Sequence, residues 1–206
     1  MNAGALESVQ TVFEEDQARA DVYALIARLL YAGPDAALLA AIGAAGEIAG
    51  ADASAPLAAA WRSLRSAAAA TDAEAAREEY DQVFVGTGKA EITPYASHYL
   101  AESMQERVLV RLRETLAELG LAKNRSAAEY EDHFSALCEI MRHLVAAGSS
   151  DAALQEQKRF FVEYINFWYA EFCAAVMASP NTNFYKQVAM FAKAFLDVEV
   201  SSFEMI

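Results

Sequence analysis

Apolar residues return every three or four positions along almost the whole chain. Val9, Val12, Phe13, Val22, Leu25, Ile26, Leu29 and Leu30 form the first such stripe, the spacing of an amphipathic helix. Gly33-Pro34 ends it. A second, alanine-rich helix is expected from Asp35, and Ser54-Ala55-Pro56 opens a third that carries Trp61 and Leu64. Thr71 with Glu74 forms a capping box, so a fourth helix is expected there and ends near Gly86. Val85 to Pro94, VGTGKAEITP, reads as a loop. Met104, Val108, Leu112, Leu116 and Leu119 mark a fifth helix stopped by Gly120. Lys123 to Glu131 reads as polar loop. Phe134, Leu137, Cys138, Met141, Leu144 and Val145 mark a sixth helix, closed by Gly148. Phe161, Tyr164, Ile165, Trp168, Phe172 and Val176 read as one seventh helix ended by Pro180, and Phe184, Val188, Phe191, Phe195 and Leu196 as an eighth. No useful run alternates with period two. The expectation is an all-α, single-domain helical bundle spanning residues 1–206.

Charge sharpens this picture. The 206 residues carry a net charge of −13, which repels nucleic acid and anionic lipid and attracts a basic peptide. The segment Met1 to Ala20 contains Glu7, Glu14, Glu15 and Asp16 and lacks the basic start and apolar stretch of a signal peptide. The apolar run Ala36 to Gly46 falls far short of the ~18 residues that suggest a membrane span. Cys138 and Cys173 sit on apolar helical stripes with no CxxC spacing, which points to buried thiols in a reducing compartment. A cytoplasmic protein with no stable membrane insertion and no nucleic-acid partner is expected.

Catalytic and metal chemistry find no pattern to rest on. Gly86-Thr87-Gly88-Lys89 resembles part of a phosphate loop, but Ala90 follows the lysine where Ser or Thr is needed, and no strand precedes it. A nucleotide-binding switch is therefore a remote alternative. His98, His133 and His143 lack the spacing of a zinc site. Carboxylate pairs such as Glu14-Glu15 and Glu78-Glu79 suit solvated helix faces. No catalytic residue, metal or cofactor is expected.

Two segments carry more character. Tyr80-Asp-Gln-Val83-Phe84 runs into the glycine loop and on to Pro94-Tyr95-Ala-Ser97-His98-Tyr99, a crowding of aromatics that suits a peptide groove or a bundle end plugged with rings. Glu129-Tyr130-Glu131-Asp132-His133 opens the sixth helix, where acidic residues also suit the positive helix end. Together these segments resemble the TorD/DmsD family of redox-enzyme maturation chaperones, which includes the NarJ-like proteins. The family shows an aromatic, a hydrophobic–Phe pair, a Gly-containing loop and a Pro-aromatic-x-Ser turn, here Tyr80, Val83-Phe84, Gly86 and Pro94-Tyr95-Ala96-Ser97. Its second mark, Glu-Pro-x-Asp-His, is here Glu129-Tyr130-Glu131-Asp132-His133, with Tyr130 in place of Pro. The segments Arg19 to Tyr23, Leu30 to Asp35, Phe161 to Trp168 and Asn183 to Leu196 also resemble the family's.

The resemblance implies a cytoplasmic chaperone that binds the twin-arginine leader, the body, or both, of a molybdenum-cofactor oxidoreductase precursor. It would assist cofactor insertion and assembly before export. The implied partners are the leader and the apo form of a molybdoenzyme catalytic subunit, and the implied state is monomer or homodimer. The alternative within this class is a leader-independent assembly factor. Peptide-binding residues carry over by motif to Tyr80, Val83, Phe84, Pro94, Tyr95, Asp132 and His133, with Glu129, Arg19 and Tyr23 beside them. Carboxylates such as Asp132, Glu129 and Glu131 suit guanidinium groups, and Tyr80, Phe84 and Tyr95 suit an apolar segment. His133 either orients Asp132 or donates to a leader carbonyl.

Overall fold

The computed structural model describes residues 3–48, 52, 54–86, 88–121 and 130–206. Among these residues there are nine α-helices: α1 (Ala3–Tyr31), α2 (Ala36–Ala44), α3 (Pro56–Ala70), α4 (Ala73–Tyr80), α5 (Glu102–Glu118), α6 (Phe134–Ala146), α7 (Asp151–Tyr164), α8 (Tyr169–Ala178) and α9 (Phe184–Glu204). A π-helical turn, Asp81–Val85, prolongs α4, and a 3-10 turn spans Ala96–Tyr99. The β pairing among the described residues is the isolated bridge between Tyr95 and His133. The fold is all-α, as the periodicity requires. No described helix is long and apolar enough to cross a membrane.

Local chemistry sets most of the helix ends. Asp35 caps α2, its carboxylate accepting from Leu38 N–H at 2.7 Å. Pro56 occupies the first turn of α3, where its missing N–H costs nothing. The capping box expected from Thr71 and Glu74 is not what starts α4. Asp72 is the cap and accepts from the N–H groups of Glu74 and Ala75, whereas Thr71 Oγ1 donates back to the Ala67 carbonyl and closes α3. Two adjacent capping residues compete here, and the carboxylate is the stronger acceptor for the orphan N–H groups.

The expected seventh helix is two. Ser150 caps α7, which ends at Tyr164, and α8 begins at Tyr169. At the break, the Phe161 carbonyl accepts from both Ile165 N–H and Asn166 N–H at 2.9 Å. The second of these bonds spans five residues instead of four, so the backbone turn widens here without glycine or proline. Ile165 and Trp168, on either side of the break, are each 1% exposed. The apolar stripe therefore continues through an interruption that periodicity does not register.

The chain divides into two compact units. One comprises Met1–Ala27, Tyr95–Phe167 and Ile206; the other comprises Arg28–Pro94 and Trp168–Met205. In the first, α6 packs on α7, and Phe134, Met141, Phe160, Phe161 and Tyr164 are buried. A buried amide organises it. Gln157 Nε2 donates to the carbonyls of Leu144 and Gly148 at the end of α6, and its Oε1 accepts from Arg19 on α1. In the second unit α9 packs against α3 and α8, and α2 packs against α3. Its core is aromatic: Phe84 lies 5.2 Å from Tyr185 and 6.1 Å from Phe172, ring centre to ring centre.

Candidate functional site

In the unit formed by 28–94 and 168–205, Tyr80, Val83 and Phe84 are brought together at the end of α4 and its π turn. All three are buried. The π turn rotates the chain so that Val83 and Phe84 both face inward, while Asp81, Gln82 and Val85 stay exposed. Tyr80 stacks on Phe84 and Tyr185 at 5.4 and 5.7 Å. Its hydroxyl donates to the Tyr31 carbonyl at 2.8 Å and lies 3.3 Å from that of Leu30, at the end of α1. The phenol thereby satisfies a carbonyl that the helix end leaves open.

The loop after Phe84 is tightly drawn. Gly86 has φ 65°, and its N–H bonds the Asp81 carbonyl at 2.7 Å. A Cβ at this position would strike the Lys89 carbonyl. Ile92 N–H then bonds the Val83 carbonyl. Glu91 accepts from Ser179 Oγ and Asn181 Nδ2, which holds its carboxyl below the usual range, the serine bond being the larger cause. Pro94, buried, closes this stretch.

In the other unit the structure brings together Tyr95, Asp132 and His133. Ala96 N–H bonds the Asp132 carbonyl at 3.0 Å, and Ser97 N–H bonds the Asp132 carboxylate at 2.9 Å. The Tyr95 ring stands edge-on to the His133 ring at 4.9 Å and to Tyr130 at 6.2 Å. His133, not Asp132, caps α6: its Nδ1 accepts from Ser135 N–H at 3.2 Å and lies 2.8 Å from Ser135 Oγ. Accepting that N–H requires Nδ1 to be unprotonated, so in the neutral ring the proton sits on Nε2. Asp132 and His133 are each 2% exposed, Tyr95 is half-buried, and Tyr130 is 61% exposed. Glu131 pairs with Arg113.

The remaining expected residues lie elsewhere in this unit or outside the described residues. Arg19 is committed to Asp16 and Gln157. Tyr23 is fully buried. Glu129 lies outside the described residues. Both cysteines are buried thiols outside any disulfide, and burial pushes the Cys173 thiol up to about 12. Among the described residues no group of His, Cys, Asp and Glu is arranged to hold a metal ion. Sequence reasoning missed two residues, one in each unit. Ser135 shares the His133 cap, and Glu79 accepts from three N–H groups at the start of α9. The first had a legible signal, a hydroxyl two residues after a helix-opening histidine; the second had none, since Glu79 and Asn183 are over a hundred positions apart.

Among the described residues, the two segments that the sequence singles out are spent largely on buried turns and helix ends. The chain matches the profile of the family described as nitrate reductase delta subunit over residues 51–174, more than half its length. It belongs to that family. It is 28% identical over 108 residues to "Chaperone protein TorD" of Actinobacillus succinogenes, covering 52% of this chain and 54% of that protein. It is also 28% identical over 126 residues to the protein of the same name from Actinobacillus pleuropneumoniae serotype 3, covering 60% and 61%. The chain thus spans less than two thirds of the length of either relative.

Proposed function

We propose that this chain is a cytoplasmic maturation chaperone for a molybdenum-cofactor oxidoreductase. It binds the twin-arginine leader of the precursor, and its apo catalytic subunit, while cofactor is inserted and the enzyme is assembled before export. The observation that carries this reading is the turn Tyr95-Ala96-Ser97, gripped through both backbone and carboxylate by Asp132 within a chain of this family. A turn held at two points presents the half-buried Tyr95 ring beside the exposed Tyr130 ring in a fixed attitude, and a pre-organised aromatic contact costs less entropy when a peptide docks. The net charge of −13 supports a basic ligand.

The burial of the motif refines the role of each residue. Asp132 is a positioning residue: its carboxylate is occupied by Ser97 N–H, and a guanidinium reaches it only if the turn opens. His133 positions α6. Tyr80, Val83, Phe84 and Pro94 shape the π turn and its loop, leaving Tyr95 as the ring that meets peptide. The name nitrate reductase delta subunit favours a second arm of the same function, docking on the body of the client without its leader.

Isothermal titration of twin-arginine leader peptides from molybdoenzymes of the same organism tests both readings. Asp132→Asn keeps an oxygen for Ser97 N–H and is expected to bind the leader almost as the parent does. Asp132→Ala orphans that N–H, which costs about 1–3 kcal/mol of stability, and is expected to bind distinctly more weakly. Equal weakening of both variants would instead make Asp132 a direct partner of leader arginine. Absence of binding to any leader and to any apo catalytic subunit would end the chaperone reading.

A further inference from the structure

Asp132 spends its carboxylate on Ser97 N–H and is buried. The neighbouring carboxylate, Glu131, keeps 13% of its side-chain surface in solvent and already holds a guanidinium. Arg113, on α5, donates from Nε to one of its oxygens and from a terminal nitrogen to the other, each at 3.3 Å. This is the two-pronged approach by which arginine recognises a carboxylate, but both bonds are longer than the ~2.7–2.9 Å usual between such charged groups. The Arg113 side chain is itself 52% exposed. Its bonds to Glu131, and then the charge of that carboxylate, raise the guanidinium above its ordinary range against a small opposing effect of burial. Asp132 and Tyr130 add smaller contributions in the same direction, so one guanidinium feels all three residues of this corner.

Arg113 can leave Glu131 without taking its helix along. Leu112, Thr115 and Leu116 of α5 are buried. The Thr115 hydroxyl bonds that of Tyr164 at 2.8 Å, and Arg111 and Glu118 pair with Glu163 and Arg159 of α7. An exposed ion pair adds little to stability, and a released arginine side chain regains rotamer freedom. Tyr130, next to Glu131 in the chain, offers an exposed ring to a cation. We infer that Glu131 receives an arginine of the bound peptide and that Arg113 is its resident stand-in, displaced when the peptide docks. The inference rests on the leader binding proposed above, and adds to it the seat of the guanidinium and a built-in competitor for that seat. The competitor also selects. An incoming arginine replaces both bonds of Arg113, whereas the point charge of a lysine does not reproduce the planar fork.

The test titrates the full chain with a twin-arginine leader peptide of a molybdoenzyme from the same organism, and with copies whose arginine pair is replaced by lysine or by glutamine. Arg113→Gln is expected to bind the arginine peptide about two- to fivefold more tightly than the parent, the gain from removing a surface ion pair that competes. It should also narrow the preference for arginine over lysine. Glu131→Gln is expected to bind the arginine peptide at least about tenfold more weakly and the glutamine peptide unchanged. Arg142→Gln removes the same charge from another exposed pair, that with Glu139, and should leave affinity as it was. In the Glu131→Gln background, Arg113→Gln should add no more than Arg142→Gln does, the non-additivity of residues that act together. Circular dichroism should show parental helicity in every variant. Unchanged or weaker binding by Arg113→Gln, an equal gain from Arg142→Gln, or full binding by Glu131→Gln would overturn the inference while leader binding itself stands. Failure of the parent and every variant to bind the arginine peptide would remove leader binding, and this inference with it.

Discussion

Gly86 and Cys173 show how much a single position is asked to do. Gly86 holds φ 65° and sits against the Lys89 carbonyl. An alanine there meets both the left-handed penalty of about 1–2 kcal/mol and a collision with backbone that cannot step aside. Gly86→Ala is expected to lower stability by at least about 2 kcal/mol in urea unfolding. Cys173 is fully buried, and burial pushes its thiol up from the ordinary range, about 9, to about 12. Its folded form holds the proton to higher pH than its unfolded form. The stability it contributes is therefore complete below about pH 9 and is lost as pH rises toward 12. Burial raises the phenols of Tyr169 and Tyr185 in the same direction. Chemical denaturation between pH 8 and 10.5 should show stability falling above pH 9, with a shallower fall in Cys173→Ala. The same burial predicts that thiol reagents label Cys173 only as the protein unfolds.

At the scale of elements, helices are finished by residues far from them in sequence. Glu79 on α4 accepts from Asn183, Phe184 and Tyr185 N–H at 2.9, 3.1 and 2.7 Å, so one carboxylate satisfies three donors that α9 cannot satisfy itself. No side chain at Asn183 makes the usual cap. Glu79→Ala is expected to cost about 1–2 kcal/mol, with Glu79→Gln intermediate because it keeps an acceptor oxygen and loses the charge. Amide hydrogen exchange should rise first at residues 183–185, which separates a lost cap from general loosening. Gln157 plays the corresponding part in the other unit, closing the end of α6 with one side of its amide and holding Arg19 with the other. Arg19 therefore serves packing in this structure, and its replacement should loosen α1 rather than act only at a peptide.

At the scale of the whole molecule, the net charge of −13 sets how a basic ligand arrives. Attraction between exposed charges is screened over about 8 Å at physiological ionic strength. On the function proposed above, leader affinity is expected to fall as salt rises, while the apolar share assigned to Tyr95 persists. A salt-independent affinity would remove charge from the account. The sequence by itself determined the helical class, because apolar residues at three- and four-residue spacing leave no other way to bury one face. It also determined most helix ends, since Asp35, Pro56, Gly120 and Gly148 act on their own neighbours through short-range bonds and backbone geometry. The order of motifs along the chain was enough to place it in its family. Tertiary structure alone decided the break at Ile165, which no glycine or proline announces. It alone decided that Asp132 spends its carboxylate on Ser97 while His133 caps α6, and that Glu79 finishes α9. In each of these cases several donors compete for one acceptor, or the partner lies tens of residues away. Periodicity records which face a side chain occupies, but only the folded chain brings donor and acceptor within hydrogen-bonding distance.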